Sequence, residues 1–258
     1  MKILCIGDVT GNIGCEHLRK VLPSFKAREA IDVVICNGEN SSDNNGISEM
    51  SVRFLLDSGV DMVTTGNHTY KNNCVYNFLD TSENIVRPAN FPKGSPGVGM
   101  KYVDRGKYRV AVINILGTKH LEPLSCPFDA ADELVKTAKN DGIKVIIIDF
   151  HAETTAEKRA LGFHLDGKIS ALVGTHTHVQ TADAQVLPQG TGYITDLGMC
   201  GPVQSVLGVD PNGSIKFLRS KMPVKFIHAT GECMLNGAVL EVDEATGKCV
   251  NIRAVDIR

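Results

Sequence analysis

The side chains best suited to chemistry stand in short motifs: Gly7-Asp8, Asn37-Gly38-Glu39-Asn40, Gly66-Asn67-His68, Asp149-Phe150-His151 and Gly174-Thr175-His176-Thr177-His178. Between them they offer carboxylate, amide-oxygen and imidazole donors, without thiolate. Such a set suits Fe, Mn, Zn or Co better than a structural cysteine-bound zinc. Glu39 has two oxygens and could bridge two cations held ~3.5–4 Å apart. His176 and His178 are two residues apart, so an extended chain would point both to one face. The glycines at 7, 38, 66 and 174 suit tight turns and close backbone approach.

Each motif follows an apolar run of strand character, at 2–6, 31–36, 61–65, 144–148 and 169–173. Helical spacing is read at 17–22 (before Pro23), 49–58, 74–79 and 130–139, with a further strand at 85–87. This β-α-β-α order predicts largely parallel sheet buried on both faces. Ligands bind outside the carboxyl ends of such strands, so the motifs would converge on one rim. Runs at 98–103 and 108–115 flank Asp104-Arg105-Gly106-Lys107 as a hairpin. Strands are expected at 193–195, 225–229, 237–242 and 250–255, with a Gly/Pro-rich loop at 198–213 and a turn at Glu244-Ala245-Thr246-Gly247. Two sheets covered by helices would fit, as one domain over 1–258.

The sequence has 258 residues, 43% apolar and 22% charged, the profile of a soluble globular protein. Its 27 basic and 29 acidic residues give a net charge of −2, and no long basic block appears. Non-specific binding of duplex nucleic acid is therefore not expected. The opening apolar run is too short for a signal peptide, and no window reaches the ~20 apolar residues of a membrane span. Eight scattered cysteines without a C-x-x-C pair read as reduced thiols in a cytoplasm, Cys5 and Cys36 as packing residues within strands.

The order D-x-T, G-E-N, G-N-H, H, T-H-T-H resembles the calcineurin-like metallophosphoesterases. More narrowly it resembles their YmdB-like branch, the bacterial cyclic-nucleotide phosphodiesterases. The likeness covers most of the chain, including Gly7-Asp8-Val9-Thr10-Gly11, Asp149-Phe150-His151-Ala152-Glu153 and Thr195-Asp196-Leu197-Gly198-Met199. It implies an α/β fold, a four-layer α/β/β/α sandwich of two mixed sheets flanked by helices. It also implies two divalent or trivalent transition-metal ions, iron first, with manganese or zinc as alternatives. Thr10 stands where the wider superfamily has a histidine, and Glu39 where it has a bridging aspartate. In the YmdB-like branch the residue matching Asn40 ligates instead. The resemblance thus implies one ion on Asp8, Glu39, Asn40 and His178, and another on Glu39, Asn67, His151 and His176. His68 would be the general acid that protonates the leaving alkoxide after attack by a metal-activated hydroxide.

The implied function is hydrolysis of 2′,3′-cyclic or 3′,5′-cyclic nucleotides. Phosphomonoester hydrolysis on the same centre and nucleotide-binding regulation with little turnover are the alternatives. The implied partner is a small phosphorylated substrate, with no membrane and with homo-oligomerisation open. The bland readings are turn formation for Asp8 and Asn40 and support of Asn67 for His68. His17, His120, His164 and His228 lack a matching context and read as ordinary residues. Asp149 could be a partner of His151 or a strand-end cap, and Asp196 is equally open. The Gly-rich stretches 94–99 and 198–213 could form a pocket rim or a subunit contact.

Overall fold

The computed structural model describes residues 1–43, 45–106 and 109–258. Its first half runs β1 (Lys2–Ile6), β2 (Asp8–Val9), α1 (Gly11–Glu29), β3 (Val33–Asn37), α2 (Glu49–Asp57), β4 (Met62–Thr64) and α3 (Tyr76–Thr81). Next come β5 (Met100–Asp104), β6 (Arg109–Leu116), α4 (Pro127–Asn140), β7 (Val145–His151), α5 (Thr155–His164) and β8 (Ala171–Thr175). The remainder is β9 (Gln185–Val186), β10 (Gly192–Ile194), β11 (Met199–Pro202), α6 (Pro211–Ser220), β12 (Cys233–Val242) and β13 (Cys249–Ile257).

The strands form a seven-stranded sheet ordered β2-β11-β12-β1-β3-β4, with β13 on β12, and a six-stranded sheet ordered β5-β6-β7-β8-β10-β9. Both are mixed. β1, β3 and β4 are parallel to one another, as are β6, β7, β8 and β10. β12 runs against β1, β11 and β13. Period-2 alternation builds the layers. Ile3 and Cys5 of β1 face the second sheet beside Val112, Ile147 and Val173. Leu4 and Ile6 point the other way, under Leu18, Leu22 and Phe25 of α1. A third apolar layer joins β6 and β7 to α4 and α5 through Ile113, Ile148, Val135 and Leu161. These three layers make the α/β/β/α sandwich expected from the resemblance.

Several expectations are corrected. The helix read at 17–22 spans Gly11–Glu29 and passes through Pro23. Its buried positions, Gly11, Gly14, Cys15, Leu18, Leu22 and Phe25, keep helical spacing on both sides of the proline, and their burial outweighs one missing backbone donor. Residues 85–87 make only an isolated bridge, Val63 to Ile85, and 225–229 only one from His228 to Val209. The loop at 198–213 contains β11, and α6 starts inside it at Pro211. The sequence reading missed α5, because its buried face of Lys158, Leu161 and Gly162 is too sparse in apolar residues to announce a helix. β5 and β6 do pair antiparallel, while Lys107 of the expected turn and Tyr108 of the expected strand lie outside the described residues. Among the described residues no helix is long and apolar enough to cross a membrane.

Pro23 is exposed, so its cost to α1 is separable from core packing. An internal helix proline costs about 3 kcal/mol, partly offset because proline also restricts the unfolded chain. Pro23→Ala should therefore raise the unfolding free energy by about 1–2 kcal/mol in urea titration. A variant no more stable than the parent would show that α1 already accommodates the bend.

Candidate metal centre

The polar motifs meet where the parallel strands end. Asp8 forms β2 with Val9, Glu39 and Asn40 follow β3, Asn67 and His68 follow β4, His151 closes β7, and His176 and His178 follow β8. Asp8 is seated by pairing with Met199 of β11. Asn37, the last residue of β3, turns its Oδ1 back to accept from the Glu39 amide at 3.1 Å. Gly66 lets the β4 loop pass close to the centre, for a Cβ there would lie 2.2 Å from Glu39 Oε2 and 2.4 Å from the His151 ring.

His176 and His178 correct the expectation of an extended pair. Both have left-handed backbone, with φ of 101° and 63°. The turn is tied down by the His176 amide, which donates to Asp8 Oδ2 at 3.0 Å.

One donor group is compact. Glu39, His151 and His176 each offer a ligand atom within 4.8 Å of the others. His151 Nε2 lies 3.2 Å from Glu39 Oε1, 3.1 Å from Asn67 Oδ1 and 3.0 Å from His176 Nδ1. Beside it, His178 Nε2 is 3.6 Å from Asp8 Oδ1 and 3.3 Å from Asn40 Nδ2. Asn40 Nδ2 also donates to Glu39 Oε1 at 3.1 Å, so that oxygen touches both groups. The Asn40 amide turns its nitrogen to this side and its oxygen to His68 Nδ1, 2.9 Å away. To act as a ligand beside His178, it would have to rotate its oxygen inward.

The far side of each imidazole fixes which nitrogen is free. His178 Nδ1 donates to the Leu207 carbonyl at 3.0 Å. His151 Nδ1 donates to Thr175 Oγ1 at 2.9 Å, and that hydroxyl donates to Asp149 Oδ1 at 2.7 Å. His176 Nε2 meets Glu153 Oε2 at 2.9 Å. Each ring is thereby held with its other nitrogen toward the acidic cluster, as metal-binding histidines are held. Asp8 Oδ1 is buried without a hydrogen-bond partner among the described residues. A buried, unpaired carboxylate oxygen is costly, and a cation would satisfy it. The residues present thus fit a metal pair.

Charge is balanced among the same groups. Burial opposes the Asp8 and Glu39 charges, yet His178 beside Asp8 and His151 beside both hold these carboxyls below their usual range. Burial also opposes the His151 charge, but Glu39, Asp8 and Asp149 carry it up to about 9. For His68, burial prevails over the attraction of Glu39 and lowers its pKa. Asp149 is pushed up to about 6 by burial, against the His151 charge and hydrogen bonds from Thr64, Thr175 and Asn37.

A cavity of about 170 Å³ opens over Glu39, Asn40, His68, His176 and His178. Thr10, Leu207, Val209, Asn45 and His228 complete its wall. His228 was read as an ordinary residue, and nothing in its sequence context points to the site. It reaches the cavity because Val209 pairs with it and the Asp43 carbonyl accepts from its Nε2 at 3.0 Å. Its Nδ1 is buried and unpaired among the described residues. Thr175, Asn37 and Glu153 were visible inside the motifs, but their supporting contacts were not. His17 and His164 are engaged elsewhere, with the Ile257 carbonyl and Asp132.

A family model described as YmdB-like protein matches residues 4–255. The chain is 46% identical over 255 residues to the 2′,3′-cyclic-nucleotide 2′-phosphodiesterase of Bacillus subtilis (strain 168), covering 99% of this chain and 96% of that protein. A crystal structure of a novel phosphatase from Mycoplasma pneumoniae superposes with a TM-score of 0.93 at 34% identity, covering 100% and 93% of the two chains. A 5′-nucleotidase precursor from Thermus thermophilus shares the fold alone, with a TM-score of 0.59 at 15% identity over 100% of this chain and 54% of that one. On its sequence, its sheets and its relatives, the chain belongs to the YmdB-like family and carries the metallophosphoesterase fold.

Proposed function

We propose that this chain, a phosphoric ester hydrolase, opens 2′,3′-cyclic nucleotides at the 2′ ester bond with two transition-metal ions. One ion would be held by Asp8, Glu39, Asn40 and His178, the other by Glu39, Asn67, His151 and His176. Iron leads as the metal, with manganese or zinc as alternatives. The observation that carries the reading is the set of three imidazoles, each anchored on its outer nitrogen and turned inward on the other. The activity of the Bacillus relative supports the substrate. The ions would supply positive charge for the phosphoryl oxygens and acidify a water.

The chain's own residues supply the rest. The cavity over the donors has room for the phosphate, and the nucleoside would lie along Asn45, Leu207, Val209 and His228. Glu39 keeps the two donor groups together through Oε1, while the His68 amide fixes Oε2 at 3.1 Å. With the Asn40 oxygen, now 2.9 Å from His68 Nδ1, rotated inward, the Asn40 Nδ2 would donate to Nδ1 instead, which leaves Nε2 carrying the proton for the departing 2′ oxygen. The product is the 3′-monophosphate. We place the enzyme in the cytoplasm, as one domain over 1–258.

Incubation of Mn²⁺-loaded protein with 2′,3′-cyclic AMP, followed by chromatography, tests the activity. Many turnovers to 3′-AMP are expected. Tight binding without product would favour a nucleotide-binding regulator. Phosphate release from added 3′-AMP would favour the monoesterase reading.

Glu39→Ala should empty both metal positions. Elemental analysis of the purified variant should find metal well below the parent's content, and full occupancy with full activity would falsify the bridge. His68→Ala should keep its metals and lose ~10²–10⁴-fold on 2′,3′-cyclic AMP, the usual worth of general acid catalysis. On bis-nitrophenyl phosphate, whose leaving group barely needs a proton, the loss should be clearly smaller. Equal losses on both substrates would assign His68 to charge stabilisation, and loss of metal would reduce it to a support for Asn67.

A further inference from the structure

Behind the His176–His178 turn lies an ion pair that the steps above do not use. Lys158 of α5 has a relative exposure of 0%, and its ammonium sits 2.7 Å from Asp196 Oδ2. Burying two charges costs several kcal/mol per ion before their attraction is counted, and apolar replacements of such pairs are often as stable or more so. Stability alone therefore does not account for the pair.

Its other contacts do. Asp196 Oδ2 also accepts from the Thr177 amide at 3.0 Å, and Oδ1 accepts from the Gly198 amide at 2.9 Å. The Asp196 amide donates to Thr181 Oγ1 at 2.9 Å, so this carboxylate is restrained from the backbone side as well. Thr177 stands between two non-glycine residues of positive φ, a conformation that costs of order 1–3 kcal/mol per residue unless its surroundings impose it. Asp8 holds the amide of His176, and Asp196 holds the next one. Gly174 completes the arrangement. A Cβ there would meet the Thr195 carbonyl at 1.8 Å and Lys158 Cδ at 3.0 Å, so the lysine stem runs under the strand that ends in the turn.

We propose that the buried Lys158–Asp196 pair is the positioning device that holds the His176–His178 turn in its left-handed form and so directs both imidazoles to the metal centre. Lys158 fixes the Asp196 carboxylate, and Asp196 fixes the Thr177 amide. The inference rests on the metal reading above. A purely structural pair would only fasten α5 to the loop after β10.

Two double variants of the full chain separate these roles. K158M/D196L removes both charges and the acceptor for Thr177. K158M/D196N removes the charges and keeps one amide oxygen that can take the Thr177 N–H. Mn²⁺ affinity is read by paramagnetic resonance titration, and the melting temperature of the metal-free proteins by circular dichroism. K158M/D196L should fold but melt somewhat below the parent, because the Thr177 and Gly198 amides lose their acceptor, and should bind Mn²⁺ about 10–100-fold more weakly, the usual effect of losing a group that orients a ligand. K158M/D196N should lose clearly less. Parent-like affinity in folded K158M/D196L overturns the proposal, as do equal losses in both variants. If the leucine variant does not fold, K158M/D196A takes its place with the same readings. A parent that takes up no Mn²⁺ overturns the metal reading and this inference with it. A binding parent beside an equally binding variant overturns this inference alone.

Discussion

A carboxylate buried between two sheets is the constraint on which the centre depends. Asp149 lies on β7, inside the layer where Val112 and Ile147 meet Ile3 and Cys5. Apolar packing alone would let the sheets slide, since dispersion and hydration are not directional. Asp149 removes that freedom. It accepts from Thr64 on β4, from Asn37 on β3 at 3.0 Å and from Thr175 on β8 at 2.7 Å. Several donors to one carboxylate offset much of its desolvation and are strongly orienting. Through Thr175 the carboxylate sets the His151 ring, and through Asn37 it sets the backbone that presents Glu39.

The same reciprocity explains the crowding of charge. Asp8, Glu39, His151 and His178 would each be costly to bury charged and alone, yet together they hold one another's charges. The Asp8 oxygen without a partner among the described residues is the place where this mutual support stops. A cation bound here would gain that oxygen and would compete with protons for the imidazole nitrogens that face inward. Binding to the folded chain alone then adds to its stability by mass action.

The motif-bearing strands were legible because each combines an apolar run with a polar end, which in all but β7 includes a glycine. β3 shows both in Val33-Val34-Ile35-Cys36 and Asn37-Gly38-Glu39-Asn40. What was not legible depends on partners far away in sequence. Lys158 shows no sign of burial in sequence, and only the distant Asp196 accounts for it. His228 stands in a segment of no regular structure and gains its place from Asp43 and Val209. The handedness of the His176 and His178 backbone could not be read from a spacing of two, because two residues apart means one face only in an extended chain.

β12 supports β11 and β1 in succession along one edge and β13 along the other. The ribosome makes β1 long before β12, since Ile3 pairs with Leu240 across most of the chain. β1, β3 and β4 can associate early, but Asp8 is seated by β11, which depends on β12. Contacts this distant in sequence are slow to form and leave strand edges open meanwhile. The nascent chain thus carries most of the polar rim before it can assemble it, and a metal ion would meet the full donor set only once β11 and β12 are in place.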